Sequence, residues 1–258
     1  MSNIEIYKVK DKSEKHYTKK GDMFDLPMRL LVVGKSHLSG KTNLLTNLLL
    51  QEDDRLYRNN FKGENIYVFS GSLGTDKKLD KIITQLDVPE SNLFPQFDED
   101  TLEALLDITK ENYDDAISEG EKPQHTLFIL DDMSFGGNLK KHTNGAIAKA
   151  FCNGRHYLAS AILTSQKYTD ILTSCRENAS GAILFKCSDK QLDTIAEDHN
   201  YLTQGKKQFK KMFREVSTEP HSFLVVNYSN PPEKLYMNKN FRAIGPCGKV
   251  KGEGCDCP

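Results

Sequence analysis

The chain has 258 residues, a formal charge of −1, 38% hydrophobic and 28% charged residues. That length suits one sizeable α/β core or two small ones, and the balanced charge supplies no global basic field for nucleic acid or an anionic membrane. No apolar run approaches the roughly eighteen residues of a membrane span, and "MSNIEIYKVKDKSEKHYTKK" at the start has no apolar signal core, so a soluble intracellular protein is expected.

In chain order, residues 1–25 read as a polar lead-in with little core, and residues 26–240 as one α/β domain. The end, "GPCGKVKGEGCDCP", is rich in Gly and Pro and predicts a flexible tail over 241–258. Apolar runs predict strands at Leu30–Val33, Asn65–Ser70, Thr126–Leu130, Ser160–Thr164, Gly181–Phe185 and Phe223–Val226. Helical patterns fall between them at 41–51, 75–86, 100–118, 143–152, 169–175 and 188–199. This alternation is the sign of a mostly parallel central sheet with crossover helices on its faces. The 160–164 and 181–185 runs are nearly all apolar, as strands covered on both faces should be. Six scattered cysteines suggest reduced thiols. Cys247, Cys255 and Cys257 have no nearby His and no common zinc spacing.

The first strand runs into "GKSHLSGKT", residues 34–42, and then into the Leu-rich helical pattern Asn43–Leu50. A phosphate-binding P-loop needs this order: a buried strand, a Gly-rich turn whose N–H groups wrap the phosphates, and a helix starting at the anion. Gly34, Lys35, Ser36, His37, Leu38, Ser39, Gly40, Lys41, Thr42 and Asn43 are therefore candidate nucleotide contacts. Lys41 would face the β- and γ-phosphates, and the Thr42 hydroxyl would ligate Mg²⁺. The usual spacing puts the first glycine at 35, where Lys35 stands, so the loop carries one extra residue. A chance Gly-Lys-Thr in a strand–helix turn is the plain alternative.

"HTLFILDDMS", residues 125–134, predicts a buried strand ending in Asp131 and Asp132. An acid there can organise Mg²⁺, and a second acid can orient or deprotonate an attacking water. A capped polar strand end is the structural alternative. "SAILTSQKYTD", residues 160–170, ends another strand at Gln166, which can sense a γ-phosphate. Upstream, "FCNGRHYLAS" places Arg155 in a Gly-Arg-His turn, where it is either a solvated arginine or a finger reaching a neighbouring subunit.

Together "GKSHLSGKT", "LFILDDMS", "NGRHYLASAILTSQ" and "SCRENASGAILFK" resemble the viral genome-packaging ATPases of the FtsK–HerA superfamily, over roughly residues 28–200. Such enzymes occur in poxviruses, other large nucleocytoplasmic DNA viruses, virophages and Maverick-like elements. The resemblance implies a RecA-like P-loop fold, ATP and Mg²⁺ as cofactors, and a homo-oligomeric ring around double-stranded DNA at a capsid or portal vertex. It also implies a setting in the virion and the host-cell cytoplasm or viral factory. Lys41 and Thr42 match the loop Lys and hydroxyl, Asp131 the metal-organising acid, Asp132 the catalytic acid and Gln166 the strand-end Gln. Arg155 matches the family's trans finger. Arg176 and Asn178 match its Arg-x-Asn motif, a second phosphate contact or a subunit contact.

DNA contact is less visible in the residues. "QGKKQFKKMFRE" at 204–215 offers Lys206, Lys207, Lys210 and Lys211 as a basic face; the alternative is a solvated helix burying Phe209, Met212 and Phe213. Three rival functions remain. A small-molecule kinase would need an Arg-rich lid, and residues 170–215 hold only Arg176 and Arg214. A GTPase would need an Asn-Lys-x-Asp motif, which "NKNF" at 238–241 lacks. The stronger rival is a non-packaging DNA pump, which usually carries membrane or extra DNA-reading domains that 258 residues leave little room for, or a binding-only virion component.

Overall fold

In a computed structural model, the structure describes residue 7 and residues 12–36, 39–132 and 145–253. Among the described residues, eight strands form one sheet: β1 (Arg29–Val33), β2 (Ile66–Ser70), β3 (Leu93–Phe94), β4 (Thr126–Asp131), β5 (Ala159–Ser165), β6 (Gly181–Phe185), β7 (Phe223–Asn227) and β8 (Tyr236–Met237). Their order is β3-β2-β4-β5-β1-β6-β7-β8, parallel from β3 through β6 and antiparallel across β6–β7 and β7–β8. The helices among the described residues that connect them are α1 (Lys41–Leu50), α2 (Lys77–Gln85), α3 (Glu99–Ser118), α4 (Ala146–Asn153), α5 (Thr173–Asn178), α6 (Asp189–His199) and α7 (Lys206–Val216).

The strands are buried on both faces because alternate residues feed two separate cores. From β1, Leu31 and Val33 join a core covered by α3, α4, α5, α6 and α7, while Leu30 and Val32 join one covered by α1 and α2. Removing a side chain such as Leu163 or Ile162, both essentially without solvent exposure, would cost about 2–5 kcal/mol. All six strands expected from the sequence are present. β3 and β8, two residues each, are too short to show alternation in a sequence. One expected helix, 169–175, resolves into a 3₁₀ turn at Tyr168–Asp170 and the later helix α5. Tyr168, Ile171 and Cys175 are all buried at helix-like spacing, yet Ile171 is extended, so the chain breaks between them.

Two end segments pack more closely than a polar lead-in and a flexible tail would. Met23 and Phe24 are buried under the sheet. They are held by Tyr57 Oη, which donates to Phe24 O at 2.9 Å, and by Asn227 Nδ2, which donates to Asp22 O and Met23 O. At the other end, residues 241–253 turn back along β8 through bridges Met237–Ala243 and Ile244–Val250, and Ile244 enters the core. Their apolar residues come in short groups broken by Asp, Pro and Gly, Met23-Phe24 before Asp25 and Ala243-Ile244 before Gly245, so the sequence pattern gives no element to assign them to.

Candidate functional site

In the parallel part of the sheet, β1, β4 and β5 lie side by side and all end at the same edge. Loops leaving that edge converge, which is where open α/β sheets bind ligands. After β1, Gly34 N donates to Ser165 O at 3.0 Å, so the loop leaves in register with the end of β5. A Cβ on Gly34 would lie 2.5 Å from Ser39 Cβ and 2.8 Å from Phe185 Cβ, which is why this position tolerates no side chain. Ser39 closes the base of the loop: its N–H and its hydroxyl both donate to Lys35 O, at 3.3 and 2.7 Å. Gly40 then takes a left-handed conformation (φ 82°) as the N-cap of α1. Lys35, Ser36 and Asn43 are exposed. His37 and Leu38 lie outside the described residues.

Lys41 is buried, and its Nζ donates to Gly34 O at 2.7 Å. An ammonium has three donors, so this bond fixes the side chain and leaves two for an anion. Burial pushes the Lys41 pKa below its ordinary value, and the nearby Asp132 and Asp131 carboxylates pull it back up. Beside it, Thr42 follows on α1, and its hydroxyl makes no hydrogen bond among the described residues.

The acidic end of β4 is held by hydroxyls from both neighbouring strands. Ser70 Oγ, ending β2, donates to Asp131 Oδ2 at 2.9 Å, and Thr164 Oγ1 of β5 donates to Asp131 Oδ1 at 2.7 Å. Thr164 Oγ1 also accepts from Asp132 N at 2.9 Å. Asp132 is in the left-handed region (φ 48°), a strained conformation that Asp tolerates better than most residues and that this bond supports. Gln166 Nε2, just past β5, donates to Asp132 Oδ2 at 2.5 Å. Lys41, Asp131, Asp132 and Gln166 are thus one constellation. The sequence had not marked Ser70 or Thr164 as its supports, although each is a polar residue at the end of an apolar strand.

The other expected site residues lie elsewhere. Arg155 is exposed in the turn before β5, at the amino-terminal edge of the sheet. Tyr17 Oη donates to its backbone carbonyl at 3.2 Å. Beside it, Arg29 donates through Nε to Asn178 O at 2.7 Å, and the Arg29 pKa is lowered first by burial and then by the Arg155 charge. The two residues of the Arg-x-Asn motif are engaged within the chain. Arg176 pairs with Asp198, donates to Thr173 Oγ1 at 3.1 Å and lies 5.2 Å from the centre of the Tyr168 ring. Asn178 Nδ2 donates to Ser174 O at 2.8 Å.

On α7, Phe209, Met212 and Phe213 are buried, as the alternative reading of that segment expected. Lys206, Lys210 and Arg214 form a stripe paired with Glu197, Asp193 and Asp189 of α6. Lys207 and Lys211 are exposed and make no ion pair among the described residues. Cys152, Cys175 and Cys187 are free thiols. Cys255 and Cys257 lie outside the described residues. No helix among the described residues is long and apolar enough to cross a membrane.

Known structures share this architecture. The genome packaging NTPase B204 from Sulfolobus turreted icosahedral virus 2, in complex with AMPPCP, is similar with a TM-score of 0.54 at 16% identity, covering 81% of this chain and 95% of that one. In complex with ATP-gammaS the same protein gives 0.52 at 17% identity, covering 81% and 94%. B204, the DNA-packaging ATPase from Sulfolobus turreted icosahedral virus, gives 0.51 at 14% identity, covering 81% and 95%. At such identities the likeness establishes the fold, a P-loop ATPase fold. No curated protein sequence matches. The poxvirus A32 protein family matches residues 14–235, and the chain belongs to that family.

Proposed function

We propose that this member of the poxvirus A32 protein family is an ATP-hydrolysing motor that drives viral double-stranded DNA into a capsid. The observation that carries the reading is the constellation at the carboxyl ends of β1, β4 and β5, where Gln166 bonds Asp132 at 2.5 Å beside the buried Lys41. The named activities of the B204 proteins, genome packaging and DNA packaging, point the same way.

In this reading the Gly40–Thr42 turn and the first N–H groups of α1 hold the phosphates. Lys41 places its two remaining donors on the β- and γ-phosphate oxygens and offsets their charge. Asp132 accepts the proton of the attacking water, with Gln166 orienting its carboxylate and reading the γ-phosphate. The donor set suits Mg²⁺: a hard cation takes oxygen ligands, and the site offers the Thr42 hydroxyl and the Asp131 carboxylate. Thr42 and Asp131 would hold it, with Ser70 and Thr164 fixing the Asp131 carboxylate, and the ion would neutralise phosphate charge. Arg155 lies at the far end of β5 from its own site. β5 has seven residues, so about 23 Å of strand separates the two edges. It therefore serves a neighbouring subunit, in a ring whose head-to-tail interfaces set one edge against the next. Hydrolysis would then depend on assembly, and the exposed Lys207 and Lys211 would meet DNA phosphates.

The test is ATP hydrolysis with and without double-stranded DNA over a range of protein concentrations, beside Lys41→Ala. DNA stimulation that rises steeply with concentration and vanishes in Lys41→Ala is the expected result. Lys41-dependent hydrolysis indifferent to both DNA and concentration would overturn the motor and leave a self-contained P-loop enzyme or a non-packaging ATP-binding component. Transfer of phosphate to a nucleoside or nucleotide would point instead to a kinase.

A further inference from the structure

A cleft of about 660 Å³ opens directly beside the phosphate loop, within the roughly 300–1,000 Å³ usual for small-molecule sites. Ser39, Gly40 and Asn43 form its inner end. Its far wall comes from the antiparallel side of the sheet: Phe185 at the end of β6, His221 and Phe223 at the start of β7, and Phe241 in the turn after β8. Nothing in the chemistry assigned to Lys41, Asp131, Asp132 or Gln166 uses these residues.

Strand order fixes what the cleft can receive. β1 carries the phosphate loop and has two neighbours. On one side are β5 and then β4, which bring Gln166, Asp131 and Asp132; on the other are β6 and β7, which bring Phe185, His221 and Phe223. A nucleoside triphosphate whose terminal phosphate faces Asp132 and Gln166 must send its sugar and base toward the opposite side of β1. The cleft is the concavity on that side, and it is continuous with the loop through Ser39 and Gly40.

The wall is also built to hold its shape. Phe241 makes edge contacts with Phe24 at 6.4 Å and Phe223 at 6.3 Å between ring centres, and Phe185 packs on Phe223 at 5.0 Å. His221 and Phe241 both have left-handed backbones, φ 59° and 55°, a conformation His accepts more readily than most residues but a bulky Phe adopts only where its surroundings impose it. His221 is tied to the loop itself, its Nδ1 lying 3.4 Å from Ser39 O and 3.5 Å from where a Cβ on Gly40 would sit. Phe241 comes after residue 235, where the family match ends, so membership in the family does not account for it.

We infer that this cleft binds the base and ribose of the nucleotide, with Phe241 as the apolar contact for a purine ring and His221 as the group that joins that subsite to the phosphate loop. The inference rests on the P-loop ATPase reading above and adds where the nucleoside lies and which residues recognise it. Phe185, Phe223 and Phe241 give the wall its ring surface, while Asp53, Arg55, Lys78 and Lys239 line the rest of the cleft, so ring contact holds the base and polar groups face the ribose side. Such contact tolerates any base with a large π-face, so ATP and GTP bind within several-fold of each other.

The experiment compares equilibrium binding of ATP and of inorganic tripolyphosphate, which carries the phosphates without the nucleoside, to the full chain. Wild type is expected to bind ATP at least tenfold more tightly than tripolyphosphate, of the order that a base–aromatic contact supplies. Phe241→Ala should weaken ATP by about tenfold and leave tripolyphosphate within twofold, while Phe241→Leu recovers part of the loss. His221→Ala, at an exposed position where folding is not at stake, should also narrow the ratio and provides the test if Phe241→Ala melts early. A ratio unchanged in both variants, or ATP and tripolyphosphate bound equally by wild type, overturns the subsite and leaves the phosphate loop standing. Wild type that binds neither ligand overturns the ATPase reading itself.

Discussion

The two edges of the sheet are built differently. At the carboxyl-terminal edge, short side chains from adjacent strands bond one another in sequence: Ser70 to Asp131, Thr164 to Asp131, Asp132 to Thr164, and Gln166 to Asp132. At the amino-terminal edge, long side chains meet backbone carbonyls, as Arg29 does with Asn178 O and Tyr17 with Arg155 O, and the Arg155 guanidinium is exposed. A network of short groups between neighbouring strands is preorganised by the sheet itself and suits chemistry inside one chain. A long, exposed cation, whose guanidinium touches only the adjacent His156 ring at 3.5 Å among the described residues, suits a partner that arrives later.

The largest expected effect tests that division directly. Arg155→Ala should lower hydrolysis by roughly 10³-fold in the assembled protein, the scale of an arginine finger, while ATP binding to the unassembled chain stays within twofold. Lys41→Ala should be at least as inactive. Mixing the two variants should restore a measurable fraction of activity, because a Lys41→Ala subunit still offers Arg155 to an intact neighbouring site. Steady-state hydrolysis against mixing ratio reads this out. Full activity of Arg155→Ala alone, or no recovery on mixing, breaks the assignment of the amino-terminal edge to a neighbour.

A smaller effect belongs to the carboxyl-terminal edge alone. Thr164→Val keeps the shape of the side chain and removes one hydroxyl that serves both Asp131 Oδ1 and Asp132 N. Stranding two buried polar groups costs about 1–3 kcal/mol each at most. The left-handed Asp132 backbone loses its support as well. Turnover is expected to fall about tenfold or more with the KM for ATP little changed, measured beside the melting temperature. A loss of stability with unchanged turnover would make Thr164 purely structural.

How far these edges could be read from the sequence depends on the range of the interactions. Gly40, Lys41 and Thr42 announce a phosphate loop because strand, turn and helix are contiguous, and Asp131 and Asp132 stand at the end of an unbroken apolar run. Ser70 and Thr164 were not legible as partners of Asp131. Only the parallel register of β2, β4 and β5 brings residues 61 and 33 positions away to one carboxylate. His221 approaches the loop from 182 residues away, with no local signal. The packing of Phe24 and Ile244 was hidden for a different reason: apolar pairs interrupted within one or two residues by Asp, Pro or Gly are too short to define a helix or strand. The lysines of 206–211 were visible as charge, but their division into a paired and an unpaired stripe needed the position of α6.

Acid should separate the edges next. His125 precedes β4 at the amino-terminal edge, where its Nε2 lies 3.0 Å from Thr18 Oγ1. Burial pushes its pKa down to about 4 from the usual 6.5, with Lys122, His16 and Lys20 adding repulsion. Folding therefore keeps it neutral while the unfolded chain takes a proton below pH 6.5. Its contribution is fully present above that pH and is lost as pH falls from about 6.5 to about 4. The size is on the order of 1–3 kcal/mol, since a pKa unit is about 1.4 kcal/mol and the side chain is partly accessible. His199, buried and likewise lowered to about 4, acts in the same direction. Denaturant melts of wild type and His125→Gln at pH 7.5 and 5 should show a shallower acid loss in the variant. Identical pH slopes would show that the lead-in does not hold that histidine neutral.

The smallest effect concerns α7, which packs on α6 and shows both kinds of charge on one helix. Lys206 and Lys210 are matched by Glu197 and Asp193, so their field is largely cancelled before any DNA arrives. Lys207 and Lys211, one position further round the helix, are exposed without such partners among the described residues. If they meet phosphates, the Lys207→Ala/Lys211→Ala double variant should weaken double-stranded DNA binding several-fold. It should also make the slope of log affinity against log salt shallower by up to about 2, roughly 0.9 per lost contact. Lys206→Ala/Lys210→Ala removes the same formal charge and should change that slope by less, because it also releases two carboxylates that their partners had screened. Equal slopes for the two double variants would mean that DNA reads only net charge here, and would move its contact surface away from α7.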